Sequence, residues 1–166
     1  MRSVHAFGFV CALLTANAAM AQLQTASPRS NTAKAPLVSG ILPAAQAFAL
    51  SAFVEADGHL ALLWEMPNGY YLYRQSLRLE LPDGTLLDTF IAPTGTVLED
   101  EYFGKTEVYF SHLLLRLPLN TVPERAFTAT ADGARQLDLL AFYQGCAQEQ
   151  YCYPPQQMPL SVALPE

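Results

Sequence analysis

Leu60, Leu62, Trp64 and Met66 alternate with His59, Ala61, Leu63 and Glu65, and Leu77, Leu79 and Leu81 alternate with Ser76, Arg78 and Glu80. A period of two places one face of an extended chain in a core and the other toward water. Further strand-like runs lie at 47–54, 70–74, 86–91, 106–117, 126–131, 136–143 and 160–164. Turn signals separate them: Asp57-Gly58, Pro67-Asn68-Gly69, Pro82-Asp83-Gly84, Pro93-Thr94-Gly95 and Asp132-Gly133. No stretch has a convincing amphipathic helical pattern. About eight short strands punctuated in this way predict an all-β sandwich, with no internal repeat.

The first residues change the picture at one end. Met1 and Arg2 precede an apolar run from Ala6 to Leu14, then small residues up to Ala19-Met20-Ala21. This is the layout of a cleaved secretory signal over residues 1–21, and the apolar run is only about half of the ~20 residues a spanning helix needs. Residues 22–40, rich in Ala, Ser, Thr, Pro and Asn without periodicity, predict a flexible leader. The folded domain is expected at 41–166. Losing Arg2 leaves 8 Lys and Arg against 15 Asp and Glu, a formal charge of −7, which excludes nucleic acid or anionic lipid as the principal partner. Cys11 leaves with the signal, and Cys146 and Cys152 remain, in a compartment where disulfides persist.

Three features carry candidate chemistry. In Tyr-Gln-Gly-Cys146-Ala-Gln-Glu-Gln-Tyr151-Cys152-Tyr153-Pro-Pro, five residues separate the cysteines, so a bond between them closes one short loop and can open without disturbing the rest of a fold. Closing a ring of about seven residues is worth roughly 2 kcal/mol, so a structural staple and a redox pair both remain open from spacing alone. Antibody-type domains join their two sheets by cysteines far apart in sequence beside a buried Trp, a role two cysteines in one segment cannot perform; Trp64 is expected in the core. The second feature is Glu99-Asp100-Glu101-Tyr102-Phe103-Gly104, where two adjacent large rings in an acidic loop are costly to leave in water, at about 25 cal/mol per Å². The third is Asn68-Gly69-Tyr70-Tyr71-Leu72-Tyr73-Arg74, a turn feeding a tyrosine-rich strand.

The runs LPAAQAFAL, NGYYLYRQSLRLE, EDEYFGKTEVYF and YQGCAQEQYCYPP, in this order, resemble the periplasmic N-terminal domain of the thiol:disulfide interchange protein DsbD over roughly residues 41–162. The resemblance implies an immunoglobulin-like β-sandwich in the periplasm whose cysteine pair relays electrons from a thioredoxin-like donor to disulfide-carrying partners, a protein-disulfide reductase component. By the same resemblance Cys146 and Cys152 are the redox pair, with Cys152 bonding the partner. Asp100, Glu101, Tyr102, Phe103 and Gly104 are a cap over the disulfide, and Tyr70, Tyr71 and Tyr73, with Tyr151 and Tyr153, flank the site. The family's best-known cap has its two rings in the opposite order, so either Tyr102 or Phe103 can be the cover. Full-length members continue into a membrane electron-conducting domain and a thioredoxin-like domain, whereas this sequence ends at Glu166. The expectation is a module served by a separately encoded membrane subunit, or a cut-down copy.

The residues around the cysteines predict the reactivity of the pair. Gln148, Glu149, Gln150 and three tyrosines surround it, joined by Asp100 and Glu101 if the cap closes; carboxylates raise a thiol pKa, so the pair is expected to be a poor spontaneous nucleophile. The alternative function is a secreted β-sandwich that binds a protein through its surface, with the disulfide purely structural. No cofactor is expected. No metal site is expected either, since His59 and His112 fall in separate strand patterns. No Ser-His-Asp arrangement or phosphate loop supports a hydrolase.

Overall fold

The structure is a computed structural model that describes residues 40–131 and 133–165. The predicted signal at 1–21, and the predicted leader at 22–40 apart from Gly40, lie outside the described residues. A one-turn helix, α1 (Ala44–Ala47), leads into β1 (Ala49–Val54), β2 (His59–Glu65), β3 (Tyr70–Tyr73), β4 (Arg78–Glu80), β5 (Thr96–Asp100), β6 (Gly104–Phe110) and β7 (His112–Pro118). There follow β8 (Phe127–Ala129), β9 (Arg135–Tyr143), β10 (Gly145–Ala147), β11 (Tyr151–Cys152) and β12 (Gln156–Ala163).

Among the described residues all pairings are antiparallel and fall into three ladders, ordered β1-β2-β7, β11-β10-β3-β6-β5 and β12-β9-β4, with β8 added to β9. The inner faces meet in one core that takes Leu60, Leu62 and Trp64 from β2, Leu72 from β3, Leu79 from β4, Leu113, Leu115 and Leu117 from β7, and Leu137 and Leu139 from β9. Each fully buried Leu contributes about 1.5–3 kcal/mol of transfer free energy, so these facing rows hold the layers together. Trp64 is only 1% exposed and meets the Tyr143 ring edge-on, in the core as its pattern predicts. The fold is an immunoglobulin-like β-sandwich, the class the sequence pattern and the resemblance predict.

Several elements differ from the sequence pattern for identifiable reasons. The run at 106–117 is two strands, because Ser111 adopts a left-handed conformation (φ 61°) and passes the chain from the β3-β6-β5 ladder to the β1-β2-β7 ladder. The run at 86–91 is not a strand. Its ends bridge different partners, Leu86 to Glu80 and Ile91 to Arg116, so the segment crosses between ladders and leaves Leu86 and Ile91 exposed. Helix α1 takes Ala47, delaying the first strand to Ala49. β5, β10 and β11 carry too few inward apolar residues to show a period.

The alternation of β3 positions the site. Tyr70 and Leu72 point into the main core, whereas Tyr71 and Tyr73 emerge on the opposite face and form a second cluster with Val108 and Cys146. Successive side chains of a strand point to opposite faces, so this tyrosine run serves two environments at once.

Candidate active site

Cys146 and Cys152 are directly opposed residues of the β10-β11 hairpin and are joined by a disulfide, their Cα atoms 4.0 Å apart. The hairpin is held independently of that bond. β10 pairs with β3, matching Cys146 to Tyr71. The Gln148 N–H donates to the Gly69 carbonyl at 2.6 Å, and the Tyr153 N–H donates to the Gly145 carbonyl at 3.0 Å. Cys146 is 1% exposed, while Cys152 is half-buried.

The β5-β6 hairpin brings the acidic and aromatic loop to this face. The Asp100 carboxylate, 8% exposed, accepts the Tyr71 and Tyr73 hydroxyls on Oδ2, each at 2.7 Å. Its Oδ1 accepts the backbone N–H groups of Tyr102 at 2.8 Å and Phe103 at 3.0 Å. One carboxylate therefore fixes both the turn of the loop and the two tyrosines beneath it. The Tyr73 hydroxyl oxygen also lies 3.1 Å from Cys146 Sγ and 3.7 Å from Cys152 Sγ.

These contacts set the proton affinities. Burial alone would raise the Asp100 carboxyl, but the bonds from Tyr71, Tyr73 and the two backbone N–H groups outweigh it and hold it below the ordinary value of 3.8. Burial pushes Tyr71 up to about 12, reinforced by Asp100, and pushes Tyr73 further in the same direction. Both phenols stay protonated at neutral pH and act as donors.

The two loop rings divide their work. Phe103 packs its ring on that of Tyr73, centroids 4.8 Å apart and nearly perpendicular. Tyr102, 64% exposed, borders a groove of about 370 Å³ that both cysteines line. Gly104 opens β6 in a left-handed conformation (φ 64°) that closes the turn. Glu101 lies on the groove opposite Gln148, Glu149 and Gln150 of the hairpin.

Tyr151 and Tyr153 flank Cys152 in the chain, and Tyr70 lies on the core face of β3. Tyr151 is on the groove, exposed, with its ring 4.9 Å from that of Tyr153. Tyr153 is buried and donates its hydroxyl to the Leu42 carbonyl at 2.5 Å, while the Tyr70 hydroxyl accepts the Leu42 N–H at 3.0 Å. Tyr70 and Tyr153 thus tie the chain before α1 to the base of the hairpin.

Sequence reasoning passed over Gly145 and Phe48. A Cβ on Gly145 would collide with the Tyr71 carbonyl and sit 2.7 Å from Phe48 Cε1; a glycine within a strand is the available signal for such a close approach. Away from the site, Glu55, Asp57 and His59 come together on ligand-type atoms. The Arg116 guanidinium bonds Glu55 at 2.5 Å and also Asp57, and His59 Nδ1 meets Asp57 Oδ1 at 3.0 Å, so this group is an ion-pair network.

Fold and site together define an immunoglobulin-like sandwich with a disulfide set in a hairpin beside an acid-anchored aromatic loop. The chain belongs to the family described as Thiol:disulfide interchange protein DsbD, N-terminal, whose profile matches residues 39–163. It is 36% identical over 126 residues to the thiol:disulfide interchange protein DsbD of Photorhabdus laumondii, covering 75% of this chain and 20% of that protein. With the Cronobacter sakazakii protein of the same name it shares 40% over 129 residues, 76% of this chain and 20% of that one. The chain thus spans about a fifth of the length of the curated relatives it matches. Among solved structures it resembles the reduced N-terminal domain of Neisseria meningitidis DsbD (TM-score 0.58, 28% identity, 74% of this chain and 90% of that one). It also resembles a chain in the structure of the complex between the DsbD and PilB N-terminal domains of that organism (TM-score 0.55, 26% identity, 74% of this chain and 87% of that one).

Proposed function

We propose that this protein is a periplasmic thiol-disulfide exchange module, a protein-disulfide reductase component that passes two electrons between thioredoxin-like domains through Cys146 and Cys152. On this reading residues 1–21 are a cleaved signal peptide, 22–40 a leader and 41–166 the redox domain. The observation that carries it is the disulfide in its own hairpin, with Cys146 sealed and Cys152 half-open on a groove. Its relatives' name and the complex of the related Neisseria domain with the PilB N-terminal domain support exchange with a protein partner.

In the accepting step, a donor thiolate attacks Cys152 Sγ, the more accessible sulfur. A new bond forms between the donor and Cys152, the internal bond breaks, and Cys146 leaves as a thiolate carrying the electron pair. The donor's second thiolate then displaces Cys152, leaving the donor oxidised and both cysteines reduced. In the delivering step, Cys152 attacks an acceptor disulfide and Cys146 resolves the mixed disulfide, re-forming the internal bond.

The residues around the sulfurs tune both steps. Tyr73, 3.1 Å from Cys146 Sγ, turns its one hydroxyl proton from Asp100 to the departing thiolate and donates to it. Asp100, bonded to Tyr73, holds that hydroxyl in place beside the sulfur. The cap from Asp100 to Gly104, with Tyr102 on the sulfur groove and Phe103 over Tyr73, keeps adventitious thiols away.

The test is equilibration of the pair in defined redox buffers, together with reduction by a thioredoxin-like protein. A potential above about −300 mV and rapid reduction are expected. A lower potential with no reduction would reduce the bond to a staple and leave a secreted protein-binding sandwich.

A further inference from the structure

The groove beside the sulfurs is one-sided in charge. Glu99 and Glu101 stand exposed on its cap side, Glu149 stands exposed at the hairpin tip, and Asp100 forms part of its wall. Among the described residues that line it there is no Lys, Arg or His. Lys105 is the cross-strand neighbour of Glu99 but lies outside the lining, and Arg74 is engaged with Glu107, the Tyr109 hydroxyl and the Pro93 carbonyl.

A second observation concerns the rings between those acids. Tyr102 is 64% exposed and Tyr151 41%, both on the groove. Aromatic faces interleaved with carboxylates form a surface that favours Lys and Arg, by cation–π contact as well as by charge.

Resting on the exchange reading above, we infer that Glu99, Glu101 and Glu149 select the redox partner: a thioredoxin-like domain whose own active-site rim carries lysine or arginine. The attacking group is itself an anion. A thiolate that enters this groove to reach Cys152 Sγ meets like charge unless cations travel beside it. A basic partner supplies them, and the acidic rim then speeds its encounter. An anionic thiol such as glutathione is repelled by the same rim. The selection acts on approach: the bond that forms, the bond that breaks and the departing Cys146 thiolate are those of the exchange step.

The experiment uses the oxidised full chain and three small thiols as probes: cysteamine, with an ammonium group, neutral 2-mercaptoethanol, and 3-mercaptopropionate, with a carboxylate. Reduction is followed by alkylation of the released cysteines, and rates are expressed per thiolate. At low salt cysteamine is expected to outpace 3-mercaptopropionate about tenfold, within the range of electrostatic steering. The ratio should shrink toward unity at about 1 M salt, where the screening length is only ~3 Å. A Glu101→Gln, Glu149→Gln double variant should lose most of the discrimination, whereas Glu124→Gln, outside the groove, should keep it. Equal rates per thiolate in the unmodified protein, or a ratio that survives in the double variant, would overturn the inference and leave the exchange reading standing. A bond inert to all three thiols and to a thioredoxin-like protein would overturn both.

Discussion

The Tyr73 hydroxyl lies 3.1 Å from Cys146 Sγ while its proton is directed to Asp100, 2.7 Å away. A buried phenol thus links a disulfide sulfur to a carboxylate that reaches it from another hairpin. The Tyr73→Phe variant removes that link, together with the hydroxyl's contacts to the Tyr71 hydroxyl and Cys152 Sγ. It should slow reduction of the disulfide by a thioredoxin-like donor about tenfold, the rate equivalent of one hydrogen bond of ~1.4 kcal/mol to the leaving thiolate. It should also lower unfolding stability by about 1.5–3 kcal/mol, because Asp100 loses a donor while staying buried. Stopped-flow exchange and urea titration measure the two separately, and an unchanged exchange rate would remove Tyr73 from the chemistry.

Asp100 gives a pH dependence of defined sign. Its folded carboxyl is held below its ordinary 3.8 because the four hydrogen bonds outweigh burial. A depressed carboxyl contributes stability that is fully present above the unfolded pKa and is lost as pH falls through the folded value. Asp57 and Asp83 are shifted the same way, so the informative quantity is the difference between the unmodified protein and Asp100→Asn. That difference should be constant from neutral pH to about 5 and should shrink below about 4. Thermal unfolding of both proteins across this range measures it; a difference that grows toward acid would be of the wrong sign.

Gly145→Ala should affect stability and site together. The added methyl meets the Tyr71 carbonyl and the Phe48 ring, and Phe48 is fully buried, edge-on to Tyr70, Tyr143 and Tyr153. Overpacking of this kind destabilises by about 1–3 kcal/mol. The displaced β10 should carry Cys146 away from Tyr73, so the exchange rate should fall with the denaturation midpoint.

The loop rings are tested by the Tyr102→Ala, Phe103→Ala double change. Removing the ring on the groove and the ring packed on Tyr73 should speed reaction of the disulfide with glutathione. A rate equal to that of the unmodified protein would take the cap out of the mechanism.

What could be read beforehand follows the range over which each cause acts. The alternation of Leu60, Leu62 and Trp64 is local and marks a core strand without further information. The Tyr71 and Tyr73 pair, separable from Tyr70 by the same period of two, carries the face of the site but not its partner, since Asp100 is 29 residues from Tyr71 and arrives through another hairpin. β5 is hidden because it is a short edge strand with only Leu98 and Asp100 turned from solvent. The break at Ser111 is hidden because the residue carries no turn signature, and its left-handed conformation is imposed by the switch between ladders. The cysteine motif was recognisable by resemblance, whereas its fixing by Gly145 and Gly69 required the packed backbone.

The hairpin that carries the sulfurs keeps its pairing to β3 and its backbone bonds to Gly69 and Gly145 by contacts that do not involve the disulfide. That pairing needs no help from the sulfurs, so the hairpin is a fixed berth whose footing does not depend on the bond it carries. On the exchange reading proposed above, donor and acceptor compete for that one berth, and the direction of traffic follows from abundance and driving force at the sulfurs.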